Sequence, residues 1–454
     1  MDEQNTTTGL KRNANLATAI AVVVGCVIGA GVFFKPYAIY QATGGAPGMG
    51  MLAWLLGGLM SILGALTFAE VAVMIPETGG MVAYLSRAFG ERAGFLAGWM
   101  QVILFYPAFL AGYGVKVGEE LSAIFGVNVQ TGVGIVVILA LALVNMRGSG
   151  EAGGLQKVST VCKLIPLVVL IIFGFLWGKS GASVTTPVVG EGVSVTGALG
   201  STLLAVLFAF EGWTNVGALA GEMERPERDL PRAIVGGVGI IMGVYLLINV
   251  AYLRVIPASE LMNLSSPASA VAERLFGSAG GLIIQVGIII SVVGAGNGFL
   301  LSGSRVAYYL AQKGTLPASD RLAKLNAGQV PAGSILLIAV LACLYSLTGS
   351  FDLLTDLGVF SCWVFYTLTF ATVIRFRRTQ PDAPRSYRVP GYPVVPVVAI
   401  ASGLFVIASQ LFLSGADARM MSVFSILVTL AGLPVYLLVQ RCARAGGAHK
   451  SKKW

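Results

Sequence analysis

The sequence has little charge. Asp, Glu, Lys and Arg make up only 11 % of its 454 residues, whereas 56 % of the residues are hydrophobic. Because soluble globular domains average about 25 % charged residues, this composition excludes a soluble globule. Apolar stretches of roughly 20 residues, the length that crosses about 30 Å of hydrocarbon, recur along the chain and leave no room for a sizeable soluble domain. About twelve spans are predicted, near residues 15–40, 48–73, 93–117, 130–147, 156–178, 198–220, 233–256, 280–311, 333–349, 355–376, 393–414 and 420–440.

Histidine and cysteine are also scarce. The one histidine is His449, and the five cysteines fall within predicted spans or at their cytoplasmic end. This scarcity excludes a histidine- or cysteine-based metal site and a serine–histidine catalytic triad, and it implies no disulfide framework. The sequence also lacks the GxxxxGK[ST] phosphate-binding loop, so ATP-driven pumping is not expected. We therefore predict no metal, no cofactor and no enzymatic activity.

Positive charge is almost missing from one side of the predicted membrane. With twelve spans, 23 of the 30 Lys and Arg residues lie on the side that carries both termini and 5 lie on the other. This asymmetry predicts a multi-pass protein of the cell membrane with cytoplasmic termini. The basic residues between Arg375 and Arg388, and those of the tail 441–454, would then lie near anionic membrane lipids. No stacking platform or known module points to a nucleic-acid partner.

Two of the predicted spans are interrupted by glycine at mid-depth, at residues 29–31 and at residues 210–212. An unpaired backbone group costs several kcal/mol in hydrocarbon, so a break is tolerated only where it is buried in protein or lines a watery cavity. Broken spans at matching positions in two halves of a chain are typical of a secondary transporter's binding site. An odd number of spans in each half would make the second repeat inverted.

The predicted fold class is therefore an all-α integral membrane protein of about 12 transmembrane helices. After a polar cytoplasmic tail, the first span is predicted to be retained rather than cleaved. The predicted divisions are a tail 1–14, a first five-helix repeat 15–178, a second inverted repeat 198–376, two additional helices 393–440 and a basic tail 441–454.

The breaks predict a binding site for a zwitterion. Where the helix restarts after Gly29-Ala30-Gly31, the free N–H groups and the positive end of the helix dipole favour a carboxylate. The carbonyls of Val27 and Ile28 at the first break, and those of Phe208 and Ala209 at the second, suit an ammonium group. The alternative is a glycine packing face between helices. The pairing of the two breaks favours the site.

Ionisable side chains within spans are costly and usually meet a partner or a cavity. Glu211 could be a proton-coupling group, a counter-ion for a cationic substrate or a structural cap. Lys163 would meet the carbonyls of the first break, unless it snorkels to the interior end of its span. Lys35 lies near the exterior end of the first span and is expected to snorkel. Asn297 suits either a pocket or a hydrogen bond between helices.

Five motifs also resemble a known family. They are GCVIGAGVFFKP (25–36), KLIPL (163–167), FAFEGWTNVGALAGEMERPERDLPRAI (208–234), GNGFLLSGSRVAYYLAQKGTLP (296–317) and YRVPGYPVVP (387–396). Together they resemble the amino acid–polyamine–organocation superfamily, especially its L-amino-acid transporter branch with the bacterial serine/threonine and alanine/serine/cysteine exchangers. The resemblance implies a LeuT-like 5+5 inverted repeat plus two helices. It also implies sodium-independent exchange of neutral L-amino acids such as serine, threonine, alanine and cysteine.

The resemblance assigns roles to individual residues. It implies a substrate site made of Val27, Ile28, Gly29, Ala30, Gly31, Phe208, Ala209, Phe210 and Glu211. Phe208 matches the aromatic gate that closes over substrate. Lys163 precedes a Leu-Ile-Pro run as in the family, where a fixed cation would take the place of sodium.

The sequence departs from the family in two places. Ala30 stands where many members have serine, which matters little if backbone groups bind the substrate. The predicted exterior loop 116–131 has no cysteine, so a disulfide-linked heavy-chain partner is not expected.

Other functions remain open. A channel would need a polar pore lining, and no predicted span shows a polar stripe of the required length. A proton-coupled amino acid symporter that uses Glu211 or Lys163 is a further alternative, as is a transporter-like amino acid sensor.

Overall fold

The computed structural model describes residues 15–77, 79–216 and 223–450, and the described residues form helices but no β-strands. The predicted tail 1–14, residues 217–220 of the predicted sixth span with the two residues after it, and the last four residues of the tail 441–454 lie outside the described residues. The helices are α1 Leu16–Val27, α2 Ala30–Ala42, α3 Pro47–Met74, α4 Met81–Phe89, α5 Glu91–Met100, α6 Tyr106–Phe125, α7 Gln130–Arg147, α8 Ser149–Trp177, α9 Val195–Ala209, α10 Pro226–Val255, α11 Ala258–Leu261, α12 Pro267–Gln312, α13 Ser319–Leu322, α14 Ala332–Ser346, α15 Phe351–Thr379, α16 Val394–Ala408, α17 Ala416–Leu430 and α18 Gly432–Lys450.

The number of membrane crossings agrees with the sequence. Ten segments of the described chain are long and apolar enough to cross a membrane. The two remaining predicted crossings are the 15-residue helix α14 and the broken pair α1–α2. A π-helical turn, Gln101–Phe105, joins α5 and α6 into one crossing. The all-α membrane fold with about twelve crossings is confirmed.

Some connectors between the crossings are helical. Helix α4 lies between the second and third crossings and buries most of its side chains against α5 and α15. A second helical connector precedes the eighth crossing. Helix α12 begins at Pro267, well before the span predicted at residues 280–311, and Gly277 interrupts the helix with a φ of 73°. That left-handed conformation favours glycine, so Gly277 separates a connector helix from the eighth crossing.

The helix contacts repeat between the two halves of the chain. Several contacts between two helices have a counterpart between the helices at the equivalent positions of the other half. The contact of α1 with α10 corresponds to that of α9 with α3, and the contact of α8 with α12 to that of α15 with α6. In the same way, the contact of α6 with α7 corresponds to that of α12 with α14, and the contact of α10 with α8 to that of α3 with α15. These pairs interchange when crossings one to five are exchanged with crossings six to ten, as expected for inverted repeats. The boundaries 15–178 and 198–376 stay a prediction.

Candidate functional site at two helix breaks

The first break lies at Ile28 and Gly29, between the end of α1 and the start of α2. The sequence placed it at residues 29–31, but Ala30 and Gly31 already form the first turn of α2. Gly29 is the N-cap residue, with φ −144° and ψ −138°. The first N–H groups of a helix have no partner within that helix, and here the first turn is buried. The break therefore places a helix N-terminus, the end whose dipole favours an anion, inside the protein.

The second break lies where the sequence predicts it. Helix α9 ends at Ala209, residues 210–212 form a turn, and a short 3₁₀ segment follows at residues 213–216. Gly212 has a φ of +112°, a conformation that is strained for any residue with a Cβ atom. The turn thus depends on this glycine.

The two breaks are in direct contact. A Cβ atom added to Gly31 would lie 2.6 Å from the Cβ of Ala209, far inside van der Waals distance. One added to Gly212 would lie 3.1 Å from the carbonyl oxygen of Cys26, near the end of α1. Gly31 and Gly212 therefore let the two broken helices approach each other.

Carbonyl groups at both breaks are bound by side chains from other helices. The Tyr245 hydroxyl on α10 lies 3.2 Å from the Val27 oxygen and 2.9 Å from the Ala209 oxygen, so it can donate to either break. Lys163 donates to the carbonyl of Gly25 and, at 2.7 Å, to that of Ile28. A carbonyl oxygen has two lone pairs, which leaves one on each for a further donor.

Lys163 on α8 does not snorkel. Its side chain is 0 % exposed, and it forms no ion pair within the described part of the chain. Its ammonium group instead meets the carbonyl end of α1, where the helix dipole is negative. The sequence-based expectation that Lys163 meets the carbonyls of the first break agrees with this geometry.

Glu211 lies within the second break and accepts a hydrogen bond from α15. The Tyr366 hydroxyl donates to Oε1 of Glu211 at 2.5 Å, and the backbone N–H of Gly212 donates to the same oxygen at 3.2 Å. Tyr366 and Thr214 also share a hydrogen bond of 2.9 Å. Glu211 therefore ties the turn to the tenth crossing, and no cation pairs with it among the residues described.

Phe208 belongs to an aromatic cluster that joins four crossings. Its ring centroid lies 5.2 Å from that of Phe109 on α6 and 5.4 Å from that of Phe351 on α15. Phe299 on α12 stacks on Phe109 with 4.7 Å between centroids, and Tyr113 completes the cluster. Phe208 is only 3 % exposed. The ring of Phe208 therefore packs α9 against the third and tenth crossings.

Lys35 is buried next to this aromatic cluster, so the expectation that its side chain snorkels to the membrane surface is wrong. Its Nζ atom lies 2.6 Å from Asp352 and 3.4 Å from Asp356, both on α15, and 5.0 Å from the Phe208 ring centroid. Thr355 accepts a further hydrogen bond at 2.9 Å. Two carboxylates offset the cost of burying the cation, and the ion pairs fasten α2 to α15.

The other predicted site residues lie further apart than the sequence suggests. Phe210 points to α3 and α10, where its ring packs on Trp54 and Tyr245. Asn297 accepts a hydrogen bond of 2.8 Å from Asn145, which links α12 to α7. The structure thus favours the interhelical role of Asn297 over a pocket.

Sequence reasoning missed Tyr245 and Tyr366, the two tyrosines that hold the breaks. Their signal was a polar hydroxyl within an apolar span, because a buried tyrosine usually finds a hydrogen-bond partner. It also missed the partners of Lys35, although Asp352 and Asp356 are four residues apart and therefore share one face of their helix.

The amino-acid sequence matches known proteins of one family. Residues 15–433 match the family model described as Amino acid permease. The chain belongs to this family. Its sequence is 39 % identical to the serine/threonine exchanger SteT of Bacillus subtilis, over 94 % of this chain and 97 % of that protein. It is 28 % identical to the human b(0,+)-type amino acid transporter 1 over 95 % of this chain and 88 % of that protein. It is also 28 % identical to the mouse Asc-type amino acid transporter 1, over 94 % of this chain and 81 % of that protein.

These findings confirm the resemblance to the amino acid–polyamine–organocation superfamily. The protein is a multi-pass membrane transporter of amino acids and not an enzyme.

Proposed function

We propose that this protein is a sodium-independent antiporter that exchanges small neutral L-amino acids, such as serine, threonine, alanine and cysteine, by alternating access. The observation that carries the proposal is the contact between the two breaks, with the start of α2 buried and Lys163 on the carbonyl end of α1. Exchange activity is also supported by the similarity to the serine/threonine exchanger of Bacillus subtilis.

The constant part of an amino acid fits this arrangement. Its carboxylate would accept hydrogen bonds from the N–H groups of Ala30 and Gly31, at the positive end of the α2 dipole. Its ammonium group would donate to the remaining lone pairs of the Ile28 and Ala209 carbonyls. Because the aromatic cluster packs closely around Phe208, a small neutral side chain is favoured over a long charged one.

The membrane arrangement is also part of the proposal. We infer the cell membrane and cytoplasmic termini from the distribution of Lys and Arg. The connection between α6 and α7, residues 126–129, contains no cysteine. A disulfide-linked heavy chain is therefore not part of the proposed assembly, and membrane lipids are its expected surroundings.

Exchange can be tested with purified protein in liposomes. Liposomes preloaded with L-serine should take up labelled L-serine at least about tenfold faster than empty ones, because an obligate exchanger returns to the outside only when loaded. Equal uptake into both would contradict exchange. Stronger competition by L-arginine than by L-threonine would contradict the preference for neutral substrates.

Proton-coupled symport is a second candidate, and Glu211 is the observation that favours it. A buried carboxyl group that no cation neutralises in the described chain can hold and release a proton. Symport predicts that a pH gradient drives L-serine into empty liposomes and that Glu211→Gln abolishes this uptake. An antiporter predicts no such accumulation.

Truncation of the proposed gate should affect the rate of exchange more than the affinity. Phe208→Ala removes a ring that contacts three crossings, so we expect a fall of roughly tenfold in the exchange rate with a smaller change in the binding constant for L-serine, since a gate acts on the conformational step. Phe412→Ala is a matched control, because Phe412 is 73 % exposed. An unchanged rate in Phe208→Ala would refute the gate assignment.

A further inference from the structure

A cavity of about 670 Å³ opens at the end of the bundle where α10 begins. It lies between α10, α3 and the loop that follows α15, and Glu227, Arg228, Arg232, Gly236 and Tyr387 contribute to its lining. None of the break residues borders it. The cavity is therefore separate from the proposed substrate site.

The cavity has a positive polar wall. Arg228 and Arg232 are one helical turn apart on α10, both are exposed, and neither forms an ion pair within the part of the chain that the structure describes. They stand in the first two turns of a 30-residue helix, near the positive end of its dipole. Glu227 is the one acidic residue among the lining residues, so the arginines outnumber it.

Tyr387 forms part of the opposite wall. The residue lines the cavity, but its hydroxyl group is buried in the protein behind that lining. The exposed guanidinium groups of Arg228 and Arg232 are therefore the donors that a bound anion can reach.

Three glycines leave an open strip, the groove, along α10 from the cavity. Gly236 lines the cavity, and Gly239 and Gly243 follow it on the same face of the helix. A Cβ atom added at any of these three glycines would meet no atom within 4 Å. Ile240 and Leu247, which are 53 % and 49 % exposed, provide apolar surface on the same helix. The groove runs along a segment that is apolar enough to cross the membrane.

We propose that the cavity and the groove together bind one anionic phospholipid. The phosphate group would accept hydrogen bonds from Arg228 and Arg232, and one acyl chain would lie along Gly236, Gly239 and Gly243. Basic pockets between helices at the cytoplasmic side suit anionic lipid headgroups. Free phosphate would satisfy the arginines but leave the groove empty, so the two sources of the phosphate group can be distinguished.

The test measures binding of phosphatidylglycerol to the full-length protein in neutral detergent, by native mass spectrometry and by the shift of the thermal unfolding midpoint. One phosphatidylglycerol molecule should remain bound, phosphatidylcholine should bind much more weakly, and inorganic phosphate should leave the midpoint unchanged. The double variant Arg228→Gln/Arg232→Gln should bind phosphatidylglycerol roughly thirtyfold more weakly, since two arginine contacts to an anionic lipid are lost.

Two further variants complete the test. Arg378→Gln, which removes an exposed arginine outside the cavity, should bind the lipid like the wild type. Gly239→Leu fills the groove and should weaken binding of phosphatidylglycerol at least about threefold. Wild-type affinity in the double arginine variant would overturn the proposal, as would an equal midpoint shift with inorganic phosphate. A change in dimerisation of Gly239→Leu with unchanged lipid binding would show instead that the groove receives a second copy of the chain.

Discussion

Lys163→Ala is expected to lower the exchange rate at least about tenfold, while wild-type exchange is the same in sodium and choline media. The ammonium group of Lys163 binds the carbonyls of Gly25 and Ile28, and its removal leaves two buried carbonyl groups without this donor. Hydrogen bonds to charged groups contribute about 1.5–3 kcal/mol each, and about 1.4 kcal/mol is a factor of ten. Labelled L-serine exchange in liposomes measures both effects.

Lys179→Ala is the matched control for this variant. Lys179 follows the end of the same helix, α8, but its side chain is exposed, so its loss should leave exchange unchanged. Partial recovery of Lys163→Ala by sodium would support a cation site at the end of α1. Near-normal exchange by Lys163→Ala, or sodium dependence of the wild type, would contradict the role assigned to this lysine.

The helix breaks could be predicted because their physical cause is local. Two nearby glycines, or a glutamate followed by glycine, weaken the helix in the middle of an apolar span. An unsatisfied backbone group is not tolerated where the span faces hydrocarbon. The second break was therefore located at residues 210–212. The first was displaced by about two residues, because sequence does not show whether Ala30 and Gly31 end one half-helix or begin the next.

The partners of the breaks could not be predicted because they come from distant parts of the chain. Tyr245 lies 218 positions from Val27, and Lys35 lies 317 positions from Asp352. Hydropathy shows that each of these residues belongs to a span, but it does not show which neighbouring helix its side chain faces. Lys35 was therefore expected to reach water, although Asp352 and Asp356 were available.

Side-chain direction at the second break could not be predicted either. Phe208 and Phe210 are two residues apart, which is a rotation of about 200° around an α-helix. The structure accordingly places Phe208 against α6 and α15, and Phe210 against α3 and α10. The resemblance grouped residues 208–211 as one substrate surface, whereas their side chains serve different interfaces.

Gly31→Val is expected to lower the affinity for L-serine at least about tenfold in a protein that still inserts into the membrane. A branched side chain at Gly31 would obstruct the approach of the proposed substrate carboxylate to the start of α2. The structure adds a second obstacle, because a Cβ at Gly31 would lie 2.6 Å from that of Ala209. Overpacking costs typically about 1–3 kcal/mol, and it would push α2 away from α9, so that the two breaks could no longer share one substrate.

Titration calorimetry with L-serine in detergent measures this loss of affinity. Gly132→Val is the matched control, since Gly132 lies on α7 with no atom within 4 Å of an added Cβ. Both variants place valine within a membrane helix, so any common effect on insertion or helix stability cancels. If Gly31→Val binds L-serine like Gly132→Val, close contact between the breaks is not required for binding, and the substrate site must lie elsewhere in the bundle.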